Sequence, residues 1–304
     1  MLDINRILCP IDFSPFSDRA LTYAMQIAEW FDARLHVLHV CPRAPAELTT
    51  SLAEASRALT GRHLVALVDQ HRVAAVDVET EVAEADNATD AILSCADRLD
   101  ADLIVTGSHG RSGLPRVALG SVVETMLHRA GRAILVVPSH VDPARVAEPS
   151  FDRIVCAVDF AAASLAGLAH GFAMAEERGS TITLLHVIDM PPELAAHPLP
   201  ATFDITAARI DAEAQAHARV MQLIPHYAAD YCTVETEVLE GAASKTILRM
   251  AADRDADLIV LGVHGRSAFD LAFFGSNSKD IIRQARCPVL AVPASRRSML
   301  RAVS

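Results

Sequence analysis

The chain is written twice. Residues 100–112 read DADLIVTGSHGRS and residues 255–267 read DADLIVLGVHGRS, identical at eleven of thirteen positions. Around that block ILCPIDF (7–13) pairs with IVCAVDF (154–160), VLHV (37–40) with LLHV (184–187), and VETEVAE (78–84) with VETEVLE (234–240). The order of motifs is the same in both halves, which two unrelated domains would not give. A unit of about half the 304 residues, duplicated, is what has to fold. The sequence divides into domains at 1–140 and 150–304. The stretch 139–150, SHVDPARVAEPS, carries two prolines and is short enough to predict that the halves pack on each other.

Within each half the periodicity alternates between strand and helix. The first half predicts strands at 7–11, 35–40, 76–82, 103–106 and 134–137. Helices are predicted at 16–30, about 46–74, 90–98 and 122–129. Ser14-Pro15 supplies a cap and a first helical residue, where the second half has Ala161-Ala162. Strands separated by helices of this length build a parallel sheet covered on both faces, an α/β fold.

Composition excludes several classes. Hydrophobic residues make up 51% and charged ones 21%, too apolar for a disordered chain. The net charge is −11 and no block of Lys/Arg occurs, which argues against nucleic acid or an anionic membrane as partner. The apolar runs are far shorter than a bilayer span, and MLDINRILCPIDF has no basic segment ahead of a long apolar one; a cytoplasmic chain is expected. The six cysteines form no C-x-x-C pair and read as reduced, core-type residues.

In an open parallel sheet, ligands lie beyond the carboxyl ends of the strands, where strand order reverses. Two features fall there. One is Asp12 in PIDFS, with Asp159 in AVDFA. The other is a glycine-rich loop after the fourth strand, Gly107-x2-Gly110-x9-Gly120-Ser121 in one half and Gly262-x2-Gly265-x9-Gly275-Ser276 in the other. Glycines let backbone N–H groups close round an anion, and the helix that follows adds unpaired donors and the positive end of its dipole. The spacing is neither the Gly-Lys-Ser/Thr phosphate loop nor the dinucleotide fingerprint. Ser121-x-x-Glu124 also fits a capping box that needs no ligand. Position 279 is lysine, so the second half lacks the box; Ser276, Asn277, Ser278 and Lys279 read there as a polar anion cradle.

These residues resemble the universal stress protein family over essentially the whole chain. The resemblance rests most on the DADLIV–G–HGRS block and the G-x2-G-x9-G-S spacing, each present twice. It implies, per domain, a five-stranded parallel sheet in order 3-2-1-4-5 with four helices. It also implies pairing of the domains through the last strand as an intramolecular pseudo-dimer. Members with the glycine motif bind ATP, so the resemblance implies adenine nucleotide, with Mg²⁺ as its companion ion. Carried over residue by residue, Ile11, Asp12 and Val40 meet adenine and ribose in the first half. Gly107, His109, Gly110, Arg111, Gly120, Ser121 and Val122 line the ribose and phosphates. In the second half Val158, Asp159 and Val187 take the first role; Gly262, His264, Gly265, Arg266, Gly275, Ser276 and Asn277 take the second.

Some positions depart from symmetry. Asp270 stands where the first half has Pro115, and Gly241 where it has Ala85; the first site is expected to be the tighter. His109 and His264 read as loop braces, His39 and His186 as satisfied polar residues, and Trp30 as packing. One aspartate per half is thin support for a metal site of the protein's own. No positioned general base or arginine finger is legible, so hydrolysis is expected to be slow at most. The reading is of a nucleotide-responsive stress module. Against it stands a nucleotide-free scaffold of the same fold; a further homodimer is left open. An adenylating ligase lacks its HIGH-, KMSKS- or SGGxDS-like signatures here.

Overall fold

A computed structural model describes residues 3–43, 50–110, 119–189, 205–263 and 276–294. The first half runs β1 (Arg6–Ile11), α1 (Pro15–Trp30), β2 (Arg34–Cys41), α2 (Thr50–Gln70), β3 (Val78–Glu84), α3 (Ala88–Arg98), β4 (Leu103–Gly107), α4 (Ser121–Arg129) and β5 (Ala133–Val137). A short helix, α5 (Pro143–Ala147), lies in the joining segment. The second half follows with β6 (Arg153–Ala157), α6 (Ala162–Arg178), β7 (Thr181–Ile188), α7 (Ile205–Met221), β8 (Thr233–Glu240), α8 (Ala243–Asp253), β9 (Leu258–Val263), α9 (Ser276–Gln284) and β10 (Val289–Pro293).

Strand order is β3-β2-β1-β4-β5-β10-β9-β6-β7-β8, so each half has the expected 3-2-1-4-5 order. All neighbours within a half are parallel. The halves join through one antiparallel pair, Val289↔Val136, Leu290↔Leu135 and Ala291↔Ile134, into a single ten-stranded sheet. Both faces are buried, which is why the central strands read as unbroken apolar runs rather than alternating ones. One core cluster lies under α1, α2, α6 and α7, with Tyr23, Leu64, Phe172 and Val220 among its members. The other lies under α3, α4, α8 and α9, with Ile92, Met126, Ile247 and Ile282. Each cluster continues through both halves, so burial of apolar area favours the paired arrangement directly.

Three expected elements differ in extent. The third strand occupies Val78–Glu84, two residues later than the apolar pattern indicates. Val76 is buried, but its N–H closes a turn on the Val73 carbonyl instead of joining a ladder. The second helix stops at Gln70, after which the His71 side chain turns back to Asp18 Oδ1 at 2.7 Å. The joining segment is partly helical because Asp142 caps it, accepting from Ala144 N, with Pro143 at its first position. Residues 46–49 lie outside the described residues. Trp30 does pack, edge-on to Phe151 at 5.2 Å, and Phe151 also stacks on Tyr23.

Across the seam α4 and α9 meet at Glu124 and Lys279, which form an ion pair. These are the same position of the repeat, 155 residues apart. In a symmetric pairing a residue there would face its own copy and like charge would oppose like. Opposite charges in the two copies remove that repulsion. Both side chains are over a third exposed, so the pair is a modest contributor. Glu124→Lys is expected to lower the melting temperature by about 2–4 °C, the equivalent of about 1 kcal/mol. Adding Lys279→Glu should restore most of it, and high salt should shrink the difference. A thermal melt of the single and double variants at two salt concentrations checks this.

Candidate functional site

Each half turns from its first strand into its first helix in the same way. Asp12 Oδ1 accepts from Ser14 N at 3.0 Å, and Asp12 N donates to Ser17 Oγ at 3.3 Å. Asp159 repeats this with Ala161 N at 2.9 Å and Ser164 Oγ at 3.2 Å. The following residues, Phe13 and Phe160, have φ of +61° and +63°, a left-handed backbone that costs a bulky residue about 1–2 kcal/mol. Ring packing offsets that cost. Phe13 sits 4.5 Å from His39 and 4.8 Å from His63, and Phe160 lies 4.6 Å from His186 with Arg219 over its face.

The two strand histidines brace these turns. His39 Nδ1 donates to the Ile11 carbonyl and His186 Nδ1 to the Val158 carbonyl, each at 2.7 Å. Ile11 and Val158, both buried, are thereby fixed at the strand ends. The first helix of the first half is capped by Ser14 Oγ, which accepts from Ser17 N; Ala161 offers no such bond.

In the first half the expected residues surround one cavity of about 320 Å³. Ile11, Asp12, Val40, Gly107, His109, Gly110, Gly120, Ser121 and Val122 all line it. It opens at the β1–β4 boundary, where the strand order reverses. Here the β1–β4 register, Ile7↔Leu103 and Leu8↔Ile104, ends short of Pro10, which has no N–H to add to a ladder. The matching strands of the second half stay paired from Ile154 to Ala157. Pro10 therefore stands at the mouth of a sheet that parts earlier.

One wall of the cavity is apolar, with Ile11, Leu38, Val40 and Ile92. The other is backbone, from Gly107–Gly110 and the start of α4. Gly110 lies against Asp12, and a Cβ added there would come 2.7 Å from Asp12 Oδ2. Gly120 donates to the Ser108 carbonyl at 2.9 Å, and a Cβ on it would approach that carbonyl to 3.3 Å. Gly107 has a packing reason besides, because its Cβ would meet the Phe16 carbonyl oxygen at 2.6 Å. His109 is braced by Ser108 Oγ at 2.8 Å and stands beside Phe16. Pro10, Leu38, Ala88, Ile92 and Val123 also line the cavity without having been singled out in the sequence. Leu38 was findable, being two residues before Val40 on the same strand face.

Arg111, His264, Gly265, Arg266 and Gly275 lie outside the described residues. Of the second site, Val158, Asp159 and Val187 take the places of Ile11, Asp12 and Val40. Ser276 and Asn277 open α9. Gly262 packs tightly on α6, the backbone of Ala163 and Ser164 filling the space of its missing side chain.

Two sequence readings of the helix starts need correction. The capping box at Ser121-x-x-Glu124 does not form: Gly120 is the cap residue, without a side-chain bond, and Glu124 reaches instead to Lys279. Lys279 is drawn away from the proposed anion cradle by the same contact, since a carboxylate across the seam competes for it. All six cysteines are free thiols, five of them buried. Burial pushes Cys156 and Cys287 up to about 12, which suppresses thiolate chemistry there.

Two doubly wound halves sharing one sheet, with a glycine-lined cavity at the switch point of the first, define a tandem α/β protein. Residues 3–138 and 150–293 each match the model of the universal stress protein family, and the chain belongs to that family. A universal stress protein of Mycolicibacterium smegmatis is 27% identical over 305 residues, covering 94% of this chain and 96% of its own length. One of Mycobacterium tuberculosis is 29% identical over 196 residues, 64% of this chain and 63% of the relative. A universal stress protein from Archaeoglobus fulgidus has the same fold, with a TM-score of 0.67 at 20% identity, covering 97% of this chain and 98% of the other. No helix among the described residues is long and apolar enough to cross a membrane.

Proposed function

We propose that this protein binds ATP, accompanied by Mg²⁺, and acts as a nucleotide-responsive regulatory module with slow hydrolysis at most. One observation carries the reading: a single cavity joins an apolar wall to a glycine and helix-terminus wall. The apolar side, Ile11, Leu38, Val40 and Ile92, suits a purine. The first N–H groups of α4 have no carbonyl within their helix and suit phosphate oxygens. Gly110 leaves open the space beside Asp12 that a side chain would fill. Asp12 is the carboxylate nearest the ribose side, and its Oδ1 is already occupied by Ser14 N. Mg²⁺ would therefore arrive with the phosphates, neutralising them, rather than be held by protein ligands.

The second reading, a nucleotide-free scaffold, draws on the packing roles of Gly107 and Gly262, which account for those glycines without a ligand. Denaturing the purified chain and identifying released small molecules by mass spectrometry separates the two. ATP or ADP at one or two per chain is expected. Empty protein that also fails to bind added Mg-ATP would leave the scaffold. Gly110→Val should weaken nucleotide binding at the first site by at least about tenfold, a loss of about 1.4 kcal/mol, while leaving the fold intact. A variant that binds like wild type would move the working site to the second half.

A further inference from the structure

Below the cavity, on the same face of β2, the first half gathers a second set of side chains. His36 Nε2 lies 2.9 Å from Glu81 Oε2 on β3, and Cys95 Sγ of α3 lies 4.0 Å from the same oxygen. One ligand atom from each of the three falls within 4.8 Å of the others. His36 Nδ1, buried and without a hydrogen bond, faces Glu79 Oε2 at 3.5 Å. Arg98 fills the gap, at 2.5 Å from Glu81 Oε2 and 3.2 Å from Cys95 Sγ.

The repeat provides a comparison within the molecule. Glu79 and Glu81 recur as Glu235 and Glu237, but Thr183 stands for His36 and Met250 for Cys95. In that half Arg254 holds both carboxylates, at 2.7 and 2.5 Å, and the cluster is a plain ion-pair network. In the first half Arg98 holds one carboxylate and its side chain is 54% exposed. An imidazole and a thiol, at two positions far apart in sequence, thus accompany in the first half alone a carboxylate that the two halves share.

We propose that His36 Nε2, Glu81 and Cys95 Sγ form a zinc site, with Glu79 as the carboxylate that orients His36 through Nδ1. An imidazole, a thiolate and a carboxylate are the ligand types that select Zn²⁺, and a water completes four-coordination. A carboxylate on the far ring nitrogen is the usual support of a metal-bound histidine. On binding, Arg98 turns out to solvent and Cys95 gives its proton to water, so Zn²⁺ with one thiolate and one carboxylate is neutral. Burial otherwise holds that thiol protonated, its pKa pushed up to about 11. The ion would tie edge strand β3 to α3, whose Ala88 and Ile92 line the cavity above.

Metal-free full-length protein titrated with Co²⁺ provides the test. Expected are one ion per chain, tetrahedral d–d absorption and a thiolate-to-cobalt charge-transfer band, all bleached by Zn²⁺. Cys95→Met and His36→Thr, which install the residues of the other half, should abolish the band. Glu79→Gln should keep the band and weaken Zn²⁺ binding by about 10–100-fold. Cobalt bound without a thiolate band, or a band surviving in Cys95→Met, overturns the proposal.

Discussion

Gly262→Ala is expected to destabilise the protein by about 3 kcal/mol, at the upper end of what overpacking costs. A Cβ built on Gly262 would sit closer than 3.0 Å to Ser164 N and to the Ala163 carbonyl carbon. Both are backbone atoms of the first turn of α6, so no side chain can rotate away. Gly167, one turn further along α6, approaches the same spot: a Cβ there would lie 3.2 Å from Gly262 N. Helix and strand thus touch through glycine on both sides. The first half has Ala20 in place of Gly167, and Gly107 is crowded by a single carbonyl at 2.6 Å. Gly107→Ala should therefore cost less, about 2 kcal/mol. Differential scanning calorimetry reads the effect, with Gly262→Ala lowering the melting temperature by about 6–12 °C. Gly131→Ala, where an added Cβ meets nothing within 4 Å, is the neutral control. A Gly262→Ala protein that melts like wild type would show that α6 can move off β9 freely, and packing would cease to explain that glycine.

The comparison of Gly107 with Gly110 shows how much of this molecule its sequence exposes. A repeat, an alternating strand–helix pattern and residues at strand ends point to Asp12, Gly107, Gly110, Gly120 and Ser121; Ile11, Val40, His109 and Val122 follow only from the family resemblance, and all nine line one cavity. Spacing does not say what a missing side chain makes room for. At Gly110 it is the Asp12 carboxylate, and at Gly107 it is a helix backbone as well. The contacts that escape a linear reading are those made between distant segments. Ser121-x-x-Glu124 satisfies a local rule, yet a lysine 155 residues away outcompetes the helix N-terminus for the carboxylate. Pro10 reads as part of an apolar run, and only the ladder beside it reveals a strand parting early. His36 and Cys95 are 59 positions apart and belong to no motif; β2 and α3 bring them together. The edge strand was displaced because Val76 satisfies the core without pairing.

Arg145→Ala should cost about 2–3 kcal/mol, somewhat below the figure for breaking a fully buried ion pair because Arg145 keeps partial exposure. Arg145 lies on α5, in the segment that joins the two halves. Its backbone carbonyl accepts from Tyr23 Oη at 3.1 Å, a buried residue of the first half. Its guanidinium reaches into the second half, to the Ala256 carbonyl at 2.7 Å, to Asp257 Oδ1 at 2.9 Å and to Asp255. Asp257 is nearly buried and spends its other oxygen on Arg153 N at 3.0 Å. Burial raises its pKa, opposed by the Arg153 N–H and by the charges of Arg145 and Arg153. Removing Arg145 takes away one opposing charge, so the folded-state pKa climbs further. A carboxyl with a raised folded pKa contributes stability that is full below its unfolded value, near 3.8, and is lost as pH rises through the folded one. The deficit of the variant should therefore be largest at neutral pH and narrow as pH falls towards the ordinary carboxylate range. Chemical denaturation of both proteins across that range measures it. Arg145→Lys, with charge but no fork, should fall between them. A gap that stays constant with pH would assign the loss to the bonds on the Ala256 and Asp255 carbonyls alone. A gap that narrows would make the joining segment an electrostatic staple, holding Tyr23 of the first half and Asp257 of the second through one residue.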